Sequence, residues 1–185
     1  MNPYFFGYGS LVNRATHSYP DAEPAQLRGW RRAWVRTAPR DVVFLSVIPD
    51  TATTIDGLIA SVPGADWAAL DLRETGYARH LSGDAIFHAL NPAPQVAHYA
   101  VPRERHQTGG DHVILLSYLD VVVQGFLNEF GPDGVRRFFD TTTGWETPVR
   151  DDRSCPLYPR HQRLAPQEQA VVDLHMTRLG TQIVS

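Results

Sequence analysis

Seven residues near the start of the chain, Phe5-Phe6-Gly7-Tyr8-Gly9-Ser10-Leu11, constrain its fold more than any other stretch. An aromatic run suited to a buried strand breaks at once into Gly-Tyr-Gly-Ser, a turn whose amides stay exposed. Glycine permits positive φ and close approach of the backbone to a ligand. Successive amides in such a turn form a nest for a carboxylate or phosphate. Two glycines after a strand also make plain hairpins and loops, so a ligand site needs a second feature. Leu70-Asp71-Leu72-Arg73-Glu74-Thr75-Gly76-Tyr77 supplies it, with an acid in the last turn of a short predicted helix.

The rest of the first half reads as sheet. Strands are predicted over 3–8, 27–35, 42–48, 55–62, 85–90 and 96–101, the last two flanking the Asn91-Pro92-Ala93-Pro94 turn. Gly57 marks a bulge or a close approach. Trp30 and Trp34 alternate with their neighbours as a strand does, rings inward and the arginines between them outward. A short helix over 65–75 ends at Gly76. The second half reads as helix, over 117–130 up to Gly131-Pro132, then 133–139, then 167–179 with Pro166 before it and Gly180 after it. Residues 150–161, rich in Asp, Arg and Pro, form an ordered surface loop. Strands first and helices afterwards argue for an α+β fold.

At 185 residues the chain fits one domain. A net charge of -3 gives no basic footprint for nucleic acid, and no apolar run has membrane-spanning length. The N-terminus lacks the pattern of a signal peptide, and the lone Cys155 fits a reducing cytoplasm. Lysine is absent, which removes Schiff-base chemistry and the P-loop lysine. Ser10 lacks a nucleophile elbow. Cys155 lies in a loop that offers no helix N-terminus to activate a thiol. His106, Asp111 and His112 match no zinc spacing. Trp145 and Asp151-Asp152-Arg153 either line a second wall or pack the C-terminal helices.

Glu74 is the candidate acid. A carboxylate near a helix C-terminus, among Leu70, Leu72 and Tyr77, is expected to hold its proton more tightly than usual. That moves it towards proton exchange near neutrality. The plainer alternative is a solvated glutamate paired with Arg73 or Arg79.

These segments resemble the γ-glutamylcyclotransferase-like family, which takes in γ-glutamylcyclotransferase itself and the ChaC-type glutathione enzymes. Tyr8-Gly9-Ser10-Leu11 is similar to the family's substrate loop. Gly57-Leu58-Ile59 with Leu70–Tyr77 is similar to the region that carries its acid, and Tyr118 with Gly125 to a tyrosine-bearing helix start. The likeness covers residues 3–130. It implies a single domain over 1–185, a small mixed β-barrel with flanking helices, with 131–185 as a helical C-terminal extension. It also implies Glu74 as general acid/base, substrate binding by Tyr8, Gly9, Ser10, Leu11 and Tyr118, and no metal or cofactor. The implied partner is a small γ-glutamyl amine or peptide, converted to 5-oxoproline and a free amine. Neither nucleic acid nor membrane is a partner, and oligomeric state is left open. The Pro-Ser-Gly-x-Asn segment of the ChaC-type enzymes is missing, and 135–160 extends beyond the family core, so the departing amine is left unassigned. The alternatives are a non-catalytic relative that binds a carboxylate-bearing metabolite or protein, and a transferase that passes the acyl group to another acceptor.

Overall fold

The computed structural model describes residues 1–38 and 41–184. Its elements begin with strands β1 (Tyr4–Gly7), β2 (Glu23–Val35) and β3 (Phe44–Ser61), then the short helix α1 (Ala68–Arg73). Strands β4 (Ala78–Leu81), β5 (Ile86–Phe87), β6 (Val96–Ala100) and β7 (Ile114–Leu115) follow. The long helix α2 (Leu116–Asp140), strands β8 (Thr142–Thr143) and β9 (Val149–Arg150), helix α3 (Pro166–Leu179) and strand β10 (Ile183–Val184) complete the chain.

The main sheet has the order β4-β6-β1-β3-β2-β5, with β8 added to β2. β1 runs parallel to β6 and antiparallel to β3, so the sheet is mixed. It curls into a half-barrel whose end strands, β4 and β5, do not pair with each other. The expected α+β class holds, with the barrel left open. A small second sheet, β10-β9-β7, is parallel throughout.

β1 is buried along its whole length because both of its faces are covered. Tyr4, Phe6 and Tyr8 face a large core with Leu119, Val122, Phe126 and Phe138 of α2 and Val172 and Met176 of α3. Phe5 faces a smaller core with Ala60, Val62, Tyr99 and Leu70 of α1. The period of two along a strand sorts these side chains into the two layers. Val135, Phe138, Phe139, Val149 and Leu164 lie in the same large core as β1, so residues beyond 131 pack directly on the sheet.

Four details refine the sequence reading or depart from it. Strands predicted over 42–48 and 55–62 are one strand, β3, paired with β2 past Pro49 by way of a register shift between Arg28 and Trp30. Strands 85–90 and 96–101 do not pair with each other: β5 joins β2, and β6 lies between β1 and β4. Of the two roles read for Gly57 the close approach holds, since a Cβ there would lie 2.5 Å from the Phe6 ring. The fourth is Arg32, which points inward and is fully buried. The same period of two that faces Trp34 inward carries Arg32 with it. Its guanidinium donates to the Tyr8 carbonyl at 2.9 Å, to Thr141 Oγ1 at 2.9 Å and to the Asp56 carbonyl. It also lies over the Phe126 ring at 4.8 Å. These acceptors offset the desolvation of a charge that arginine keeps at neutral pH.

The helical predictions hold where capping chemistry is local. α2 is broken at Gly131, whose φ of 64 lies outside the helical range, and Pro132 restarts it. α3 begins on Pro166 and ends in the left-handed Gly180.

Candidate active site

The chain leaves β1 at Gly7 and turns through a short 3-10 helix, Ser10–Val12. Neither Gly7 nor Gly9 has positive φ. Gly9 is required by proximity, because a Cβ there would stand 2.7 Å from the Tyr118 hydroxyl. Asn13 fixes the far end of the turn, with Nδ2 donating to the Val121 carbonyl at 3.0 Å and to Gln124 Oε1 at 2.9 Å. Gly125 lets α2 come that near, since a Cβ on it would meet the Asn13 backbone at 2.7 Å. Residues 8–13 are thus held between the sheet and the first turns of α2.

α1 presents the acid from the other side. Glu74 caps this helix, its amide bonded to the Leu70 carbonyl at 2.9 Å, while the fully buried Leu70 pins the helix to the smaller core. Arg73 ties this end to the turn. It donates to the Thr16 carbonyl at 2.8 Å and to Thr16 Oγ1 at 3.0 Å, with Ser10 Oγ at 3.5 Å. Arg73 Nε is also 3.3 Å from Glu74 Oε1.

Burial raises the Glu74 carboxyl above the ordinary glutamate range, and Arg73 and Arg160 pull it part of the way back. The cause differs in one respect from the expectation: Leu72 is 77 % exposed and does not shield the acid. Its cover comes from the tyrosines. Glu74 shares a cavity of about 30 Å³ with Tyr8, Gly9, Ser10, Leu11 and Tyr118, along with Tyr77 and Tyr99. All six residues singled out in the sequence therefore meet at one point. Arg79, the other suggested partner of Glu74, instead pairs with Asp71 at 3.5 Å and lies over the Trp67 ring.

The phenols there differ in what their protons do. Tyr8 Oη donates to the Tyr99 carbonyl at 2.7 Å, and Tyr77 Oη to the Leu45 carbonyl at 3.0 Å. Tyr118 is held by a hydrogen bond from the Ser10 backbone to its phenol oxygen. Among the described residues Tyr118 has no protein acceptor for its own proton. Burial raises all three phenols, so each stays protonated at neutral pH.

Above the small cavity opens a cleft of about 880 Å³, which Ser10, Glu74, Tyr77 and Tyr118 also line. Its far wall is the loop carrying Leu157, Tyr158, Pro159 and Arg160. Sequence reasoning read this loop as surface cover, with Asp151-Asp152-Arg153 as one alternative for a second wall, and did not pick out Tyr158 or Arg160, because the contacts that hold the loop are between distant residues. Asp152 accepts from the Ser117 amide at 2.8 Å and from the Leu157 amide at 2.9 Å. Ser117 Oγ, itself bonded to Asp152, accepts from the Tyr158 amide at 3.2 Å. Arg153 forms two bonds of 2.8 Å to Asp120 and a third, also 2.8 Å, to Asp173. Tyr158 then packs edge-on against Tyr118, ring centroids 5.0 Å apart. Trp145 lies behind the site, stacked on Phe139 and edge-on to Trp34.

This open mixed half-barrel with its helices is the fold of a solved γ-glutamyl cyclotransferase. A solved structure named gamma-glutamyl cyclotransferase superposes with a TM-score of 0.57 at 9% identity, covering 94% of this chain and 99% of that one. The Homo sapiens protein loc79017 gives a TM-score of 0.56 at 11% identity over 93% of this chain and 98% of the other. YkqA from Bacillus subtilis gives 0.54 at 16% identity, covering 77% of this chain, which spans 56% of the length of YkqA. By sequence alone, no family model and no curated protein matches the chain. No helix among the described residues is long and apolar enough to cross a membrane.

Proposed function

We propose that the protein is a cytoplasmic, cofactor-independent γ-glutamylcyclotransferase that releases 5-oxoproline from a small γ-glutamyl compound. The observation that carries this reading is the buried Glu74 carboxyl, raised above its usual range, facing the Tyr8–Leu11 turn across one small cavity. The fold shared with a γ-glutamyl cyclotransferase supports it.

The chemistry suits these parts. The substrate's α-amine attacks its own γ-carbonyl carbon, a new C–N bond closes a five-membered lactam, and the original C–N bond to the departing amine breaks. Holding the chain folded for this attack supplies much of the acceleration, since effective molarities of oriented groups reach about 10⁵ M or more. On the way from ammonium to lactam N–H the α-nitrogen gives up two protons, and the departing nitrogen, leaving as an ammonium, takes up two. Glu74 relays protons from the one to the other, and a raised carboxyl suits the exchange. The oxyanion that develops on the γ-carbonyl accepts a hydrogen bond from the Tyr118 hydroxyl, which has no acceptor among the described residues, while the Ser10 amide holds that phenol oxygen in place. The turn at residues 9–11 receives the γ-glutamyl carboxylate.

The direct test is 5-oxoproline release by wild type and Glu74→Gln on a panel of γ-glutamyl compounds. Loss of a general acid/base is expected to lower turnover by about 10²–10⁴-fold. Unchanged release from the variant overturns the assignment.

A further inference from the structure

Resting on the γ-glutamyl reading above, we infer that Arg160 selects the departing half of the substrate by pairing with an anionic group on it. The departing amine is therefore a carboxylate-bearing one rather than a polyamine.

Among the described residues, three charged side chains line the cleft: Arg73, Glu74 and Arg160. The first two satisfy each other at 3.3 Å, and Arg73 is further committed to Thr16 and Ser10. The Arg160 guanidinium has neither an ion-pair nor a hydrogen-bond partner among the described residues; it lines the cleft but not the small cavity of the Tyr8–Leu11 turn, and its charge acts on Glu74 through space. The described side chains of the cleft thus bring two positive charges against one negative, and Arg160 is the one bonded to no protein group. A γ-glutamyl group already brings its own carboxylate for the turn and its amine for Glu74. What remains to meet Arg160 is the other half of the molecule.

A guanidinium in a walled cleft is a bidentate receptor for a carboxylate. A polyamine tail would meet that cation with no carboxylate left to receive it, because Glu74 is the cleft's single acid and is engaged with Arg73 and the reacting amine. The backbone that leads to Arg160 is held: Leu157 and Tyr158, just before it, are bonded through their amides to Asp152 and Ser117. Leu72 and Leu157, both exposed and both lining the cleft, leave apolar cover for the aliphatic part of the same group. The cleft, at about 880 Å³, has room beyond what a γ-glutamyl group fills.

The test compares γ-glutamyl-leucine with γ-glutamyl-leucinamide, which differ only in the charge on the departing half, and adds γ-glutamylputrescine. Binding is measured by calorimetry to Glu74→Gln protein, and 5-oxoproline release is measured with wild type, each with and without Arg160→Gln. The carboxylate compound is expected to bind about tenfold tighter than its amide, and Arg160→Gln is expected to erase that difference through KM with little change in kcat. γ-Glutamylputrescine should be the poorest of the three and should improve in the variant. Equal use of acid and amide by wild type overturns the proposal, as does an equal loss on both in the variant, which would place Arg160 on the γ-glutamyl carboxylate. Failure of all three compounds to bind overturns it too. Binding that discriminates by charge without any 5-oxoproline would break the catalytic reading and leave this one standing.

Discussion

The two walls of the cleft are built by different means. The wall carrying the Tyr8–Leu11 turn and Glu74 continues the sheet: β1 lies between two covered faces, and Arg32, Asn13 and Arg73 lock the segments that leave it. The opposite wall, the loop through Tyr158 and Arg160, reaches the cleft on side-chain clasps, Asp152 to Ser117 and Arg153 to Asp120 and Asp173. The first cannot shift without disturbing a core. The second can change its sequence at modest cost. A common reacting half and a variable departing half of a substrate would be served by that division.

The comparison breaks first at Arg32. Arg32→Ala leaves the Tyr8 and Asp56 carbonyls without their buried donor and opens a hole beside Phe126, for an expected loss of about 3–5 kcal/mol in urea denaturation. A loss under about 1 kcal/mol would mean that the sheet holds the turn unaided. Asp152→Asn comes next. It weakens bonds to two backbone amides and a hydroxyl, for about 1–3 kcal/mol, and should speed hydrogen exchange at Leu157 and Tyr158 while leaving β1 protected. Exchange that quickens in β1 as well would merge the two walls into one unit.

The smallest effect concerns Glu74 and pH. Its carboxyl is raised in the folded protein by burial. Below the ordinary glutamate range both folded and unfolded forms are protonated and the group is neutral for stability. As pH rises through the unfolded value towards the raised folded one, ionisation costs the folded state. Glu74→Gln is therefore expected to melt slightly above wild type at pH 7, with the gap closing as the pH falls to about 4. A gap that widens in acid would mean that the pair with Arg73 outweighs the burial.

What the sequence disclosed was what neighbouring residues decide. The aromatic strand with its Gly-Tyr-Gly-Ser exit, the helix stopping at Glu74, the break at Gly131-Pro132 and the helix opening near Tyr118 are all signalled within a few residues. What stayed hidden depends on partners far along the chain. Pro49-Asp50-Thr51 has the composition of a turn, yet β2 carries β3 straight past it. Arg32 is a charge expected outside, and only its acceptors at Tyr8, Asp56 and Thr141 make the inside tolerable. Arg160 reaches the cleft because Asp152 finds Ser117, a pairing for which no local pattern exists.

The placement of β1 also bears on how the protein comes to be made. Its ladder joins Tyr4 to Ser61 on one side and to Val96 on the other. Closing so long a loop costs more entropy than a hairpin, and parallel pairing of distant segments forms slowly. The strand that leads into the reacting centre thus leaves the ribosome before both of its partners and is among the last to be seated. Until residue 98 has followed it, Tyr4-Phe5-Phe6 is an apolar segment lacking one of its two neighbours, open to capture by a chaperone or by another nascent chain.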